Sequence, residues 1–177
     1  MFKILLFGNT TKKAKERIMK VVVKYNGKSY DELNEILLFL KCEGYYDFIV
    51  FSEIDISGSC VLDSDIFKNE ARVAFINTKT SVSTYDALNS IKGSLGEGFL
   101  IVYSLEIEKF DINDVYNYHK SSTNLATLLS TEKQTVGIFF EPEVFDYMTA
   151  PRHFEREILK SIFEDHEAPI YNLVPTK

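Results

Sequence analysis

Apolar residues in this chain form short continuous runs that alternate with segments of helical periodicity. Seven runs predict strands, at residues 2–7, 47–51, 72–76, 99–103, 125–129, 135–140 and 169–174. The runs at 2–7, 47–51 and 99–103 are predicted to be the central strands, because a nearly uniform apolar run is typical of a strand covered on both faces. The last run is predicted to lie at an edge of the sheet.

Helix-start signals lie between these runs. Ser29 with Glu32 and Ser83 with Asp86 have the spacing of a capping box, and Asp111 begins a third helix. The predicted helices cover residues 29–44, 83–95, 111–119, 142–148 and 154–163. This alternation predicts an α/β fold, a three-layer Rossmann-like arrangement with a mostly parallel sheet. No linker or repeat interrupts it, so residues 1–177 are predicted to form one domain.

Charge and composition narrow the range of functions. The formal net charge of −6 argues against nucleic-acid binding, which needs clustered cations. No apolar run approaches the roughly 18 residues of a membrane span. No signal-peptide pattern follows Met1, so we expect a cytoplasmic protein without membrane contact. Cys42 and Cys60 belong to no metal-binding or redox pattern and are predicted to be a helix-face and a loop thiol.

One basic segment stands out in this acidic chain. Its six cations are Lys12, Lys13, Lys15, Arg17, Lys20 and Lys24. Two interpretations remain open: a solvated helix face, or a region that attracts a phosphate-bearing small molecule. Ligands of open α/β sheets bind beyond the carboxyl ends of the strands, which predicts a site among residues 8–13, 52–57, 77–83 and 104–108.

Histidine-based catalysis is not indicated. His119, His153 and His166 do not pair by spacing with a nucleophilic Ser or Cys, and each is predicted to be structural or solvated. The sequence also lacks a nucleophile elbow, a Walker loop and a dinucleotide-binding glycine motif.

Four stretches carry a resemblance to a known family. They read Y-N-G-K at 25–28 with L-N-E-I-L at 33–37 and G-Y-Y-D-F-I-V at 44–50; D-I-N at 111–113 with Y-H-K at 118–120 and L-A-T-L at 125–128; G-I-F-F-E-P-E-V-F-D-Y at 137–147; and F-E-R-E at 154–157. In this order they resemble bacterial glucose-1-phosphate cytidylyltransferases and, more loosely, the sugar-nucleotidyltransferase superfamily. The resemblance implies a fold of the nucleotide-diphospho-sugar transferase type.

The resemblance also implies a phosphate-binding segment near the amino terminus. The family's G-G-x-G-T-R loop corresponds here to F-G-N-T-T-K-K at residues 7–13, and Lys20 corresponds to the lysine of the family's P-K-P element. Glycines in such a loop let backbone amides approach a triphosphate. The residues implied to bind phosphate or nucleotide are therefore Gly8, Asn9, Thr10, Thr11, Lys13 and Lys20.

The catalytic positions of the family hold other residues. Its T-G-G element becomes Thr84-Tyr85-Asp86, and its metal-binding Y-G-D becomes Tyr103-Ser104-Leu105, whose isobutyl group cannot ligate magnesium. Its W-x-D element is not found, since the chain contains no Trp. We therefore predict a non-catalytic relative without a cofactor. It would bind a nucleotide sugar, a sugar phosphate or a partner protein in nucleotide-sugar metabolism and polysaccharide biosynthesis.

The alternative is an active sugar-1-phosphate nucleotidyltransferase with a rearranged site. It would use Lys13 and Lys20 for phosphate and Glu106 for Mg²⁺.

Association with a partner enzyme or a second copy is a further expectation. An apolar carboxyl-terminal segment supplies the face, through Phe154, Ile158, Leu159, Ile162, Phe163, Ile170, Tyr171 and Leu173. A homodimer through this face is one interpretation, and packing of the segment onto its own sheet is the other.

Overall fold

The computed structural model describes residues 5–7, 19–25, 29–52, 71–77, 83–149, 153–166 and 170–172. Its strands are β1 (Leu5–Phe7), β2 (Lys20–Tyr25), β3 (Asp47–Ser52), β4 (Arg72–Asn77), β5 (Phe99–Val102), β6 (Ala126–Ser130), β7 (Thr135–Phe140) and β8 (Ile170–Asn172). Within these ranges the strands form one sheet in the order β1-β4-β3-β2-β5-β7-β6-β8. β1 and β7 run antiparallel to the other six strands, so the predicted mostly parallel sheet is confirmed.

The central strand of the parallel portion is β2, which lies in the basic segment that was interpreted as a solvated helix face or a phosphate-attracting region and was not predicted to be a strand. Val21, Val22 and Val23 are fully buried between β3 and β5, while Lys20 and Lys24 are only partly buried near the two ends. Three β-branched residues suffice for a short central strand. The long lysine side chains near its two ends can extend to solvent beyond the strand.

The prediction that residues 2–7 form a central strand is wrong. The described part, β1, is the edge strand of the sheet and pairs antiparallel with β4 alone, with Leu5 opposite Phe75 and Phe7 opposite Val73. An apolar run does not by itself distinguish a central strand from an edge strand that packs one face on the core. The central positions predicted for 47–51 and 99–103 are confirmed by β3 and β5.

Four α-helices lie in the described ranges: α1 (Tyr30–Cys42), α2 (Thr84–Ile91), α3 (Ile112–Ser121) and α4 (Leu159–His166). The predicted caps are present at the first three. The hydroxyl of Ser29 accepts a hydrogen bond from the Asp31 amide and that of Ser83 accepts one from the Asp86 amide. Short 3₁₀ turns at Lys92–Ser94, Leu105–Lys109 and Pro142–Tyr147 and a π-helical turn at Phe154–Ile158 complete the helical elements of the described ranges.

Each face of the sheet carries its own hydrophobic core because side chains alternate along the strands. Val21, Val23 and Val50 face the core under α1 and α3, whereas Val22 and Ile101 face the core under α2 and α4. Helices therefore cover both faces, which confirms the three-layer α/β architecture.

The carboxyl-terminal apolar segment packs onto its own sheet. Phe154, Ile158, Leu159 and Ile162 are buried in the core of the α2 and α4 face, and Phe163 packs against its edge. This matches the self-packing interpretation at these positions. Ile170 and Tyr171 lie in β8, and Leu173 lies outside the described residues. A homodimer stays a prediction.

The cap of α3 is expected to contribute measurably to stability. One carboxylate oxygen of Asp111 accepts hydrogen bonds from the amides of Asn113 and Asp114, at 3.1 and 3.0 Å. Asp111→Ala should lower the free energy of unfolding by about 1–2 kcal/mol, the usual cost of losing an N-cap. Urea denaturation measures this, with Asp114→Asn as the control, since it keeps the cap and changes only a first-turn charge.

Candidate functional site

The order of the strands reverses at β2. From β2 the chain builds β3 and then β4 on one side, and then returns to place β5 on the other side. Ligands of open α/β sheets bind beyond the carboxyl ends of the strands at such a reversal. The carboxyl edge of β2 and β5 is therefore the first place to look for a site.

A lysine and a tyrosine meet at this point. Lys24 and Tyr103 follow the paired residues Val23 and Val102, and both project toward the α2 and α4 face of the sheet. The Nζ atom of Lys24 lies 5.9 Å from the centroid of the Tyr103 ring, within the range of a cation–π contact. The backbone amide of Tyr103 donates to the Val136 carbonyl at 2.9 Å, which fixes the position of its backbone at the end of β5. The pair places one cation and one aromatic ring at the switch point.

A tyrosine at the end of β2 contacts the residue that caps α1. The hydroxyl of Tyr25 donates to the Ser29 carbonyl at the start of α1, and burial raises the pKa of this hydroxyl above its ordinary value, so it stays protonated. The amino termini of α1 and α2 both lie at this edge. Asp31 and Asp86 lie in the first turns of these helices, and their negative charges disfavour the binding of an anion at the helix amino termini.

The end of β5 turns away from the strand direction. Ser104 caps the 3₁₀ turn that follows, and its hydroxyl accepts hydrogen bonds from the Glu106 amide at 3.2 Å and from Nε2 of Gln134 at 3.1 Å. Leu105 is half-buried and packs against the core under α1. The position that resembles the family's metal-binding aspartate thus contributes hydrocarbon to the core.

Glu106, the alternative metal ligand, already has partners. Its carboxylate lies 3.2 Å from the ammonium of Lys109. Lys109, together with the hydroxyl of Thr131, holds the pKa of Glu106 below its ordinary value. Among the residues that the structure describes, no group of three or more His, Cys, Asp or Glu side chains is placed to hold a metal ion.

Tyr85 is the residue that, by the sequence resemblance, stands in place of a glycine of the family's T-G-G element. It lies in the first turn of α2, is buried in the core of that face, and donates its hydroxyl hydrogen to the Met148 carbonyl at 3.1 Å. This hydrogen bond anchors α2 to the segment after β7. Tyr85 is therefore a packing residue.

The predicted phosphate-binding residues are only partly described. Gly8, Asn9, Thr10, Thr11 and Lys13 lie outside the described residues, and their role stays a prediction.

Lys20 is described, and it lies at the first position of β2. It pairs there with Asp47 of β3 at 2.9 Å. Lys20 and Lys24 thus lie near opposite ends of one strand, about 13 Å apart along it at the usual strand rise. The phosphate-binding role of Lys20 also stays a prediction, and the experiments below separate it from a role of Lys24.

A second polar cluster lies near the amino edge of the parallel strands, and no local pattern in the sequence pointed to it. Nδ1 of His119 is 2.8 Å from the Thr127 hydroxyl, and Nε2 is 3.3 Å from a carboxylate oxygen of Glu141. The order of groups is that of a hydrolytic triad, yet Thr127 is 0% exposed and His119 is 1% exposed. A substrate cannot reach this hydroxyl, so the cluster is structural. It joins residues from two of the sequence stretches that carry the family resemblance.

No helix in the described ranges combines the length and the apolar character that a membrane span needs. No protein-family model and no curated protein sequence matches the chain.

Solved structures, in contrast, show clear similarity of fold. The 4-diphosphocytidyl-2C-methyl-D-erythritol synthase of Anaerococcus prevotii has a TM-score of 0.60 at 9% identity, over 87% of this chain and 88% of that chain. UDP-glucose pyrophosphorylase complexed with UDP-glucose has a TM-score of 0.57 at 8% identity, over 85% and 89%. A protein assigned as a nucleotide-diphospho-sugar transferase from Desulfovibrio desulfuricans G20 has a TM-score of 0.54 at 11% identity, over 90% and 83%. These similarities confirm the predicted nucleotide-diphospho-sugar transferase type of fold.

Proposed function

We propose that this protein binds a nucleoside phosphate or nucleotide sugar at the carboxyl edge of β2 and β5 and does not transfer a nucleotidyl group. The observation that carries the proposal is the pair of Lys24 and Tyr103 at the switch point of the sheet. A lysine ammonium is a common phosphate-binding group, and an aromatic ring offers a surface for a base or sugar. The similar fold of a pyrophosphorylase complexed with UDP-glucose supports the choice of ligand class.

Three described features support the absence of transfer chemistry. Leu105 packs against the core where a metal-binding carboxylate is expected by resemblance, Glu106 is paired with Lys109, and Tyr85 is buried at a position where the resemblance implies a glycine. The residues at the end of β5 therefore do not fit a divalent cation held at Leu105. We propose that the protein works without a resident metal, as a binding component of nucleotide-sugar metabolism alongside a partner enzyme or a second copy.

Isothermal titration calorimetry with CTP, UTP, GTP and UDP-glucose tests the binding. Lys24→Met should weaken binding by roughly 10- to 100-fold, the value of one charge-assisted contact of about 1.5–3 kcal/mol. Lys20→Met is the matched control, because it removes the same charge from the same strand at the opposite edge. It should leave binding unchanged and alter stability by no more than about 1 kcal/mol.

Two outcomes contradict this proposal. If calorimetry detects no binding heat with any of the four ligands at millimolar concentration, the proposed binding function is wrong. Weaker binding in Lys20→Met but not in Lys24→Met places the phosphate near Lys20, the lysine that the resemblance implies.

A further inference from the structure

His119 is a buried ionisable group enclosed by two strands and its own helix. Its ring stacks on Phe139 of β7 with centroids 5.6 Å apart, and its Nδ1 atom contacts the hydroxyl of Thr127 of β6. One carboxylate oxygen of Glu141, just after β7, lies 3.3 Å from Nε2 and 2.5 Å from the ammonium of Lys120. The charged groups that face the ring are thus Glu141 and Lys120, since β6 presents Thr127 and β7 presents Phe139.

These contacts select one neutral form of the ring. With the hydrogen on Nε2, the N–H lies beside the Glu141 carboxylate, 3.3 Å away and without the geometry of a hydrogen bond, and Nδ1 accepts the hydrogen bond of the Thr127 hydroxyl. With the hydrogen on Nδ1, the lone pair of Nε2 would face the carboxylate, which is repulsive. The arrangement therefore favours the Nε2–H tautomer.

We propose that His119 attaches α3 to β6 and β7 in a proton-dependent way. The attachment is strong while the ring is neutral and weakens when the ring takes a second proton. The added proton binds Nδ1, so that Nδ1 becomes a donor and the Thr127 hydroxyl loses its acceptor inside the core. The imidazolium also competes with Lys120 for the same oxygen of Glu141. The Nδ1–H can then donate to the Thr127 oxygen, but the hydrogen of this hydroxyl is left without an acceptor and a charge is buried beside it, so acid weakens the attachment of α3 to β6.

The direction of the pH response follows from the pKa of His119. Burial lowers this pKa below its ordinary value, the Glu141 carboxylate acts in the opposite direction, and Lys120 adds to the lowering. Because the folded pKa lies below the unfolded one, the unfolded state binds more protons. The attachment of α3 to β6 and β7 has its full strength above the unfolded pKa of about 6.5, and it weakens as the pH falls from there toward the folded pKa.

Ring-nitrogen NMR of the intact protein tests the neutral form of the ring. The ¹⁵N shifts of His119 should show a neutral ring with the hydrogen on Nε2 at pH 7, and a titration midpoint below the ordinary histidine value of about 6.5. An Nδ1–H tautomer, or a midpoint at or above about 6.5, overturns the proposal. Thr127→Val should raise the midpoint, because it removes the donor that stabilises the neutral ring.

Amide hydrogen exchange tests whether α3 becomes less protected when His119 is protonated. Protection factors of the α3 amides should fall below pH 6.5 by up to roughly tenfold per pH unit, the limit for one proton, while those of α1 stay constant. In His119→Asn the α3 values should lose this dependence, because the amide oxygen can accept from Thr127 but does not titrate. Protection that is insensitive to pH in the native protein, or that falls equally in α1, overturns the proposal without reference to any variant.

Discussion

Pyrophosphate release from CTP, UTP or GTP with glucose 1-phosphate and Mg²⁺ is expected to stay at background. Leu105 provides no ligand, and the carboxylate of Glu106 is engaged by Lys109. Loss of a metal clamp from phosphoryl transfer costs several kcal/mol of transition-state stabilisation, or about three or more decades in rate. A coupled pyrophosphate assay at high protein concentration measures the residual rate.

Glu106→Gln serves as the control for this assay. It removes the carboxylate that the alternative interpretation uses for a metal, and we expect the background rate to stay the same. Turnover at about one per second or faster, abolished by Glu106→Gln, would establish an active transferase with a rearranged metal site.

Gly98→Ala should destabilise the fold by about 2–6 kcal/mol, since an unfavourable backbone conformation and overpacking each cost about 1–3 kcal/mol. The φ angle of Gly98 is +106°, and a Cβ atom there would lie 2.8 Å from the Phe140 carbonyl oxygen and 3.4 Å from a Glu141 carboxylate oxygen. Because the close neighbour is backbone of β7, β5 and β7 would have to separate. Urea denaturation gives the free energy of unfolding.

A neighbouring glycine is the matched control. Gly96 also has a positive φ, +48°, but no atom lies within 4 Å of the position that a Cβ atom would take. Gly96→Ala should therefore cost only the backbone contribution, about 1–2 kcal/mol. Equal losses in the two variants would show that the approach of Gly98 to Phe140 does not limit the packing of β5.

The helices and most strands follow from local signals in the sequence. Ser29, Ser83 and Asp111 cap helices where their side chains predict it, because capping depends on a few adjacent residues. The order of the strands in the sheet does not follow from local signals. β2 contains three valines between two lysines, and only its pairing with β3 and β5 makes it central. Pairing over long sequence distances is not encoded in local periodicity.

The candidate site was less predictable than the fold for the same reason. Lys24 and Tyr103 are far apart in the sequence and meet only because β2 and β5 are neighbours in the sheet. The sequence did identify Leu105 and Tyr85 as departures from the resembling enzymes. It did not show that both side chains pack into the cores, or that Glu106 is held by Lys109.

Ligand binding at the switch point is tested most directly by an NMR titration of the ¹⁵N-labelled protein with UDP-glucose and with CTP. We expect the amide signals of Lys24, Tyr103 and Ser104 to shift with increasing ligand, while those of Lys20 and Asp47 at the opposite edge remain in place. Unchanged spectra at saturating ligand, or shifts confined to Lys20 and Asp47, would contradict a binding site at the carboxyl edge of β2 and β5.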